Sequence, residues 1–238
     1  MTKRLFRMLE VFHDQASHSA AMNMAIDEAM LESTTAPLIR FYRWRSPALS
    51  FGYFCRFADV ANHLNERDLV RRWTGGGIVF HGNDLTYSIV IPADHVVFPE
   101  SSAAIYQKVH SALVDALAET GQRGIVAGDG DPRSGRVPSL TAKTGIRDAG
   151  CSCFANPVRA DVMMNGRKVA GAAQRRTSRG LLQQGSIQGV DLGNRLAARF
   201  AQALSTDGHE YESDDHLLKR ASELTQQKYA TETWMRKR

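Results

Sequence analysis

The sequence has few cysteines and no long apolar run. Its only cysteines are Cys55, Cys151 and Cys153, and so small and odd a number argues against a disulfide framework and for a reducing compartment. No apolar stretch approaches the ~20 residues of a membrane span. The first residues also lack the apolar core of a secretory signal. We therefore expect a soluble, cytoplasmic protein with no membrane partner.

Common nucleotide- and metal-binding motifs are also missing. Neither GxGxxG nor GxxxxGK[ST] occurs, so a dinucleotide fold and a P-loop are unsupported. Cys151 and Cys153 could form half of a metal site, but no second Cys/His pair lies at zinc spacing, and we expect no metal. The net charge of +5 suits an acidic partner or a nucleic acid. Because no basic stripe with interleaved aromatic residues is present, nucleic-acid binding rests on charge alone and is not expected.

The 238 residues are 43% hydrophobic and 23% charged, which is typical of a globular chain with one large core. Apolar periodicity predicts helices over 19–32, 101–119, 191–204 and 214–228, and a short polar helix within 58–70. Alternating residues predict strands within 4–12, 38–44, 48–54, 85–91, 158–164, 168–174 and 181–188. Runs of strands with irregularly placed helices predict an α+β fold, with a mixed, largely antiparallel sheet flanked by helices.

Residues 71–88, RRWTGGGIVFHGNDLTYS, are the most distinctive stretch. Gly75, Gly76 and Gly77 each lose much backbone entropy on folding, so three in a row indicate a sharp turn or a close approach. The N–H groups of such a turn could face an anion or a carbonyl, although a plain hairpin turn explains the glycines equally well. The flanking arginines and His81 favour a ligand site. His81 could be a general base, an orienting residue or a hydrogen-bonded core histidine.

A cysteine and a lysine that could carry chemistry lie on either side of a predicted hairpin. The Gly- and Pro-rich stretch 121–152 predicts a long functional or mobile loop, and Cys153 follows it. Lys168 comes after the Asn-Gly turn at 165–166, a strong hairpin signal, and before small residues that leave space for a ligand. A thiolate beside a cation is a good acyl-transfer nucleophile. Cys153 could equally be a small buried hydrophobe, Cys151 is a competing thiol, and Lys168 could be an ordinary solvated lysine.

Several blocks, in this order along the chain, resemble the family of biotin and lipoate protein ligases and the octanoyltransferases of lipoate assembly. The blocks are NMAIDEAML, RFYRW with PALSFGYF, RRWTGGGIVFH with DLTYS, NGRKVAGAAQRR, and LQQGSI. The resemblance implies a sheet of the class II synthetase–biotin protein ligase kind, in a single cofactor-transferase catalytic domain over residues 1–238. It also implies that the Arg-x-x-Gly-Gly-Gly turn and the Gly-x-Lys-x-x-Gly strand wall an acyl-binding tunnel.

The resemblance further implies roles for individual residues. Lys168 matches the functional lysine of the family, whose ammonium would hold the acyl carbonyl oxygen. Cys153 followed by Phe154 matches one octanoyltransferase branch, in which a cysteine thiolate carries the acyl group in a ping-pong reaction. Together these imply Cys153 and Lys168 as catalytic residues. The expected substrate-binding residues are Arg72, Thr74, Gly75, Gly76, Gly77, His81, Tyr87, Gly171 and Ala172.

From this resemblance we expect an acyltransferase of lipoate biosynthesis. It would move an octanoyl or lipoyl group from acyl carrier protein, through a Cys153 thioester, to a lysine of a lipoyl-domain protein. The glycine cleavage H protein and a dehydrogenase E2 are such acceptors, and no cofactor is expected beyond the acyl substrate. An ATP- and magnesium-dependent lipoate–protein ligase is the first alternative, but ligases usually have Arg-Asn-Asp where this chain has Arg159-Ala160-Asp161. A non-catalytic acyl-binding module is the second.

Overall fold

The computed structural model describes residues 4–128 and 157–237. Eleven strands lie in these two ranges: β1 Leu9–His13, β2 Leu38–Tyr42, β3 Ala48–Phe51, β4 Asp68–Arg71, β5 Ile78–His81, β6 Leu85–Pro92, β7 Ile125–Val126, β8 Val162–Met164, β9 Arg167–Thr177, β10 Gly180–Ile187 and β11 Gly208–Glu210. The same ranges hold five α-helices: α1 Ala20–Ser33, α2 Ser102–Glu119, α3 Leu196–Leu204, α4 Asp215–Leu224 and α5 Glu232–Met235. None of these helices is long and apolar enough to cross a membrane.

The strands form one large and one small sheet. The large sheet has the order β11-β1-β2-β6-β10-β9-β8-β7. In it, β1 runs parallel to β2 and β11, and every other neighbouring pair is antiparallel. The small sheet has the order β4-β3-β5, with β3 parallel to β4 and antiparallel to β5. The predicted fold class, a mixed and largely antiparallel sheet flanked by helices, is confirmed.

Helices cover both faces of the large sheet. Successive side chains of a strand point to opposite faces, so a central strand contributes to two cores. On one face, Ile89 and Ile91 of β6 belong to an apolar core shared with α2 and α3. On the other face, Val90 of β6 and Leu182 of β10 belong to a second core, shared with α1 and α4. The small sheet lies on the α1 side, where β3 and β4 contribute to that second core.

The two longest helices begin where the sequence predicts. The Ser19 hydroxyl accepts a hydrogen bond from the Met22 N–H at the start of α1, and Ser101 does the same for Ala104 at the start of α2. Each serine thus satisfies an N–H group that has no partner within its helix, and such a cap is worth about 1 kcal/mol. The apolar stripe predicted along α2 is buried in the first core.

The predicted hairpin between β8 and β9 is also present. Asn165 and Gly166 both have positive φ, 51° and 74°, as a two-residue type I′ turn requires. This turn fixes where β9 begins, and therefore where Lys168 stands in the sheet.

Arg71, at the end of β4, connects the small sheet to the segment containing α5. Its Nε donates to the Trp234 carbonyl at 3.0 Å, and its Nη1 donates to the carbonyls of Tyr53 and Cys55 at 2.9 and 2.7 Å. In return, the Trp234 indole donates to the Arg71 carbonyl at 2.9 Å. A buried guanidinium satisfied by carbonyls in this way holds the start of the glycine turn in place.

Some predicted elements were wrong or incomplete. Residues 58–70 were expected to hold a short polar helix, but they contain only 3₁₀ turns before β4. The strand forms there because it pairs in parallel with β3, a partner that local sequence does not reveal. The first strand occupies 9–13 rather than 4–12. The short elements β11 and α5 were not predicted. Of the predicted long loop 121–152, residues 129–152 lie outside the described ranges.

Candidate active site

A pocket lies between the two sheets. Strands β6, β9 and β10 of the large sheet form one wall, and β3 and β5 of the small sheet form the other. Its lining includes five of the residues that were predicted from sequence, namely Arg72, His81, Lys168, Gly171 and Ala172. The structure therefore brings together residues that are up to 100 positions apart in the sequence.

Lys168 forms a buried ion pair at the pocket wall. Its Nζ lies 2.9 Å from Asp161 Oδ2, and its side chain is only 2% exposed. Asp161 also accepts hydrogen bonds from the Tyr106 hydroxyl at 2.6 Å and the Val158 N–H at 2.7 Å. Burial and the neighbouring carboxylate raise the pKa of the Tyr106 phenol, so it stays protonated as a donor. A positive charge held this firmly can stabilise negative charge that develops on a carbonyl oxygen.

Gly171 provides the space that Lys168 occupies. A Cβ at position 171 would lie 2.5 Å from Lys168 Nζ and 3.2 Å from Asp161 Oδ1. On the neighbouring strand, a Cβ at Gly185 would overlap the ring of Tyr87. Gly171 therefore shapes the pocket, and Gly185 accommodates the apolar core beneath the sheet.

Tyr87 and the predicted pocket residues lie on opposite sides of the large sheet. The Tyr87 ring is fully buried against Phe200, and its hydroxyl lies 3.1 Å from His110 Nε2. His110 Nδ1 in turn donates to the Ala160 carbonyl at 2.6 Å. Tyr87 is thus not among the lining residues, and its contacts support the backbone just before Asp161.

Acidification should destabilise the protein through His110. Burial lowers the pKa of His110 from 6.5 to about 4, so the unfolded chain takes up a proton first as the pH falls. The contribution of the neutral His110 ring to the free energy of unfolding is present in full above pH 6.5. It decreases below that pH, by about 2 kcal/mol at pH 5. Urea unfolding at pH 7 and pH 5 measures this loss. A His110→Gln variant should lose about 2 kcal/mol less over the same interval; equal losses would contradict the assignment.

Arg72 organises the glycine turn. Its Nη2 donates to the carbonyls of Gly75 and Gly77 at 3.0 and 2.8 Å, and its Nη1 donates to Ser50 Oγ at 2.7 Å. Gly76 has φ 81°, a conformation that favours glycine. The contacts of the turn with Arg72 therefore run through its carbonyls, whereas the sequence suggested that its N–H groups could face an anion or a carbonyl. The three glycines stand behind Arg72 and are not among the pocket-lining residues.

Thr74 also stands behind the pocket wall. Its hydroxyl donates to Gln184 Oε1 at 2.7 Å, and Gln184 Nε2 donates to Asp27 Oδ2 at 2.7 Å. Gln184 lines the pocket, whereas Thr74 is fully buried behind it. Thr74 therefore orients Gln184, which lines the pocket.

His81 forms hydrogen bonds with both of its ring nitrogens. Nδ1 lies 2.7 Å from Asp84 Oδ2, and Nε2 lies 2.6 Å from Ser50 Oγ. The indole of Trp44 stacks on the ring at 4.1 Å between centroids. His81 is thus fixed in orientation at the pocket wall, with a carboxylate on one side and a hydroxyl on the other.

Besides Tyr42, five other polar or aromatic lining residues were not predicted from sequence: Trp44, Ser50, Thr86, Gln184 and Ser186. A signal for three of them is present in strands β6 and β10, which are buried along their whole length. Thr86 in the first, and Gln184 and Ser186 in the second, are polar, as are their neighbours Ser88 and Gln183. Buried polar side chains need hydrogen-bond partners, so polar positions within buried strands indicate a network or a site. Trp44 and Ser50 carry no comparable signal.

The candidate nucleophile Cys153, with Cys151 and Phe154, lies outside the described residues, and its position stays a prediction. The described chain resumes at Pro157, four residues after Cys153. Within residues 4–128 and 157–237, no group of three or more His, Cys, Asp or Glu side chains could hold a metal ion.

Comparison with known families explains the order of the sequence blocks. The family model of the lipoyl protein ligase A/B catalytic domain matches residues 19–225. The chain belongs to this family. The resemblance stated from the sequence blocks is therefore confirmed.

Relatives of this lipoyl protein ligase A/B family member include octanoyltransferases. The protein named Octanoyltransferase LipM from Bacillus cereus is 35% identical over 177 residues, which cover 71% of this chain and 61% of that protein. Octanoyltransferase LipM from Carboxydothermus hydrogenoformans is 36% identical over 184 residues, covering 74% of this chain and 63% of that protein. The chain thus spans about three-fifths of the length of these curated relatives.

Solved structures of the family share the fold. Lipoate-protein ligase A bound with ATP superposes with a TM-score of 0.73 at 22% identity, covering 95% of this chain and 97% of that one. A bi-partite lipoate protein ligase from Thermoplasma acidophilum gives a TM-score of 0.68 at 19% identity, covering 98% and 96%. At these identities the likeness establishes the fold.

Proposed function

We propose that this protein is an acyltransferase of lipoate assembly. It transfers an octanoyl or lipoyl group from acyl carrier protein, through a thioester on Cys153, to a lysine side chain of a lipoyl-domain protein. The glycine cleavage H protein and dehydrogenase E2 subunits are the acceptor classes. The proposal treats residues 1–238 as one catalytic domain and places the reaction in the cytoplasm.

The observation that carries this proposal is the buried Lys168–Asp161 pair in the wall of the pocket. The pocket walls beside Lys168 are small or apolar, with Gly171, Ala172 and Val79 among them. An apolar wall suits an alkyl chain, and a buried ammonium suits the carbonyl oxygen at its end. The similarity to proteins named octanoyltransferase supports the same reading.

The position of Cys153 in the sequence fits this role. Val158, five residues later, donates its N–H to Asp161, the partner of Lys168. The chain that carries Cys153 therefore enters the described structure beside the ion pair. We propose that the Lys168 ammonium favours the thiolate of Cys153, which is the reactive form of cysteine.

The reaction has two steps. In the first, the Cys153 thiolate attacks the thioester carbonyl of the acyl-loaded carrier, a new C–S bond forms, and the carrier thiolate leaves. In the second, the amine of the acceptor lysine attacks the Cys153 thioester, an amide C–N bond forms, and the Cys153 sulfur leaves. Lys168 stabilises the negative oxygen in both steps. A positively charged protein also attracts an acidic carrier.

The ligase alternative would place ATP and magnesium near the same site. Asp161 stands in the triplet that ligases use, but its oxygens already accept hydrogen bonds from Tyr106, Val158 and Lys168. A carboxylate engaged in this way has little capacity left for a metal ion. The described contacts therefore favour the transferase.

Intact-mass spectrometry tests the proposal. After mixing with octanoyl-loaded carrier protein, the wild type should gain the mass of one octanoyl group, and Cys153→Ala should gain none. Cys151→Ala, which removes a thiol only two positions away, is the control and should still be acylated. An adduct on Cys153→Ala would overturn the nucleophile assignment, and no adduct on the wild type would overturn the mechanism. Pyrophosphate release from ATP and free lipoate, unaffected by Cys153→Ala, would instead establish the ligase.

A further inference from the structure

Ser50, His81 and Asp84 form a hydrogen-bonded chain that ends in the pocket. Asp84 Oδ2 lies 2.7 Å from His81 Nδ1, and His81 Nε2 lies 2.6 Å from Ser50 Oγ. All three side chains are buried, yet Ser50 and His81 both line the pocket. The order carboxylate, imidazole, hydroxyl is one that moves protons in many enzymes.

The positions of the protons in this hydrogen-bonded chain can be deduced from the hydrogen-bond partners. A carboxylate only accepts hydrogen bonds, so the proton of neutral His81 sits on Nδ1, facing Asp84, and Nε2 is an acceptor. The Ser50 hydroxyl therefore donates to Nε2. Arg72 Nη1 donates to Ser50 Oγ at 2.7 Å. Because a hydroxyl oxygen has two lone pairs, one acceptor position of Ser50 remains beyond its described contacts.

The surroundings keep His81 neutral and Asp84 ionised. Burial has the largest effect on the pKa of His81 and lowers it; the charges of Arg72 and Arg67 act in the same direction, against the opposing effect of Asp84. Burial also opposes ionisation of Asp84, but hydrogen bonds from His81, Ser186 and the Gly82 N–H outweigh it and lower its pKa. His81 is thus uncharged at neutral pH, and its Nε2 can accept a hydrogen bond from Ser50.

A structural role alone does not account for Ser50, the pocket end of this hydrogen-bonded chain. Asp84 accepts hydrogen bonds from Thr86 of β6 and Ser186 of β10, so it does tie the turn after β5 to the large sheet. Such a tether needs no further acceptor at the pocket wall. Ser50, on the small sheet, lines the pocket that Lys168 and Gly171 line from the large sheet. A group bound in the pocket would therefore meet a proton acceptor on one wall and an ammonium on the other.

The proposed reaction requires such an acceptor. A lysine of the acceptor protein arrives mainly as an ammonium ion, because its ordinary pKa is about 10.4, and it must lose a proton before it can attack. Lys168 is ion-paired with Asp161, and an ammonium has no lone pair with which to accept a proton. Ser50 and His81 line the same pocket as Lys168 and offer an acceptor for that proton.

We propose that Ser50, His81 and Asp84 are the general base for the second step, an inference that rests on the proposed transferase function. The acceptor ammonium gives one proton to Ser50 Oγ as the Ser50 proton passes to His81 Nε2, and Asp84 stabilises the imidazolium. The free amine then attacks the thioester carbon and the C–S bond breaks. The second proton of the amine goes to the departing Cys153 sulfur, and His81 returns its proton to water.

Separate measurement of the two steps tests this inference in single-turnover experiments. For Ser50→Ala and His81→Gln, formation of the octanoyl adduct on Cys153 should slow far less than the second step. Transfer from that adduct to a lipoyl domain should slow by about 100-fold or more, the size of a general-base contribution. The control is Ser88→Ala, which also removes a buried hydroxyl bonded to a carboxylate, here Asp27 at 2.8 Å. It should leave both steps unchanged.

Hydroxylamine distinguishes a base from a merely structural group. It is neutral at pH 7 and needs no base before it attacks, so it should release octanoyl from Ser50→Ala and from the wild type at equal rates. Equal slowing with hydroxylamine and with the lipoyl domain would mean that Ser50 only shapes the thioester site, and would overturn the inference. The inference would also be overturned if Ser50→Ala and His81→Gln both transferred octanoyl to the lipoyl domain at the wild-type rate. Absence of an adduct in the wild type would instead refute the transferase function itself.

Discussion

Replacing Gly171 with alanine should slow acyl transfer strongly, because it displaces Lys168 from the pocket wall. The new Cβ would occupy the place of the Lys168 Cε and Nζ, the flexible end of a long side chain, and would push the ammonium out of the pocket wall. Loss of one group that stabilises a developing oxyanion typically costs 100- to 1,000-fold in rate, so we expect a loss of at least about 100-fold. Single-turnover acylation measures the rate, and Lys168→Ala should show a similar loss.

Gly185→Ala is the matched control for this prediction. Position 185 pairs with Ala172 on the neighbouring strand, so both substitutions add one methyl group to adjacent strands. At Gly185 the methyl group would meet the fully buried ring of Tyr87, and overpacking of a core costs about 1–3 kcal/mol. Urea unfolding should show a loss of this size for Gly185→Ala, a variant in which Lys168 keeps its place beside Asp161. Full activity of Gly171→Ala would mean that Lys168 does not act from the position described.

Asp27→Ala should lower the free energy of unfolding by about 3 kcal/mol or more, because it removes one of the two carboxylates paired with the buried Arg40 guanidinium and leaves three further buried donors without their acceptor. Asp27 Oδ1 accepts hydrogen bonds from Arg40 Nη1 and Ser88 Oγ, each at 2.8 Å. Its Oδ2 accepts from Tyr42 and Gln184 at 3.2 and 2.7 Å. Both Asp27 and Arg40 are fully buried, so water cannot replace the lost carboxylate.

Lys108→Ala provides the comparison for the buried pair. Lys108 lies 2.6 Å from Glu100, with half of its side chain exposed. Exposed ion pairs contribute about 0–1 kcal/mol, so urea unfolding should barely change. If Asp27→Ala lowered the free energy of unfolding as little as Lys108→Ala does, the hydrogen bonds of Asp27 would not stabilise this side of the sheet.

The wall of the site that contains Lys168 could be predicted from sequence because local signals specify it. The Asn165-Gly166 turn sets the start of β9, and the small residues after Lys168 mark open space. Strand alternation predicted β6, but an apolar strand does not reveal which face meets a ligand. The resemblance implied Tyr87 as a substrate-binding residue, whereas its neighbour Thr86 lines the pocket.

The other wall could not be predicted because its strands pair across distant sequence. His81 of β5 pairs with Ala48 of β3, two residues from Ser50, and this register brings Ser50 and His81 to the same side of the small sheet. No local signal in the sequence around Ser50 indicates that His81 is its hydrogen-bond partner. Gly-Asn-Asp at 82–84 is an ordinary turn sequence, so the sequence alone does not indicate that Asp84 holds His81.

The hydrogen bonds of Arg71 have a consequence for the order of folding. Its guanidinium reaches Trp234 and Met235 across 163 and 164 residues of sequence. Contacts between such distant residues form late, because the entropy of closing so long a loop must be overcome first. The glycine turn follows Arg71 directly, so a refolding chain should regain its helices before this turn is fixed. Recovery of ligand binding should then lag behind recovery of secondary structure.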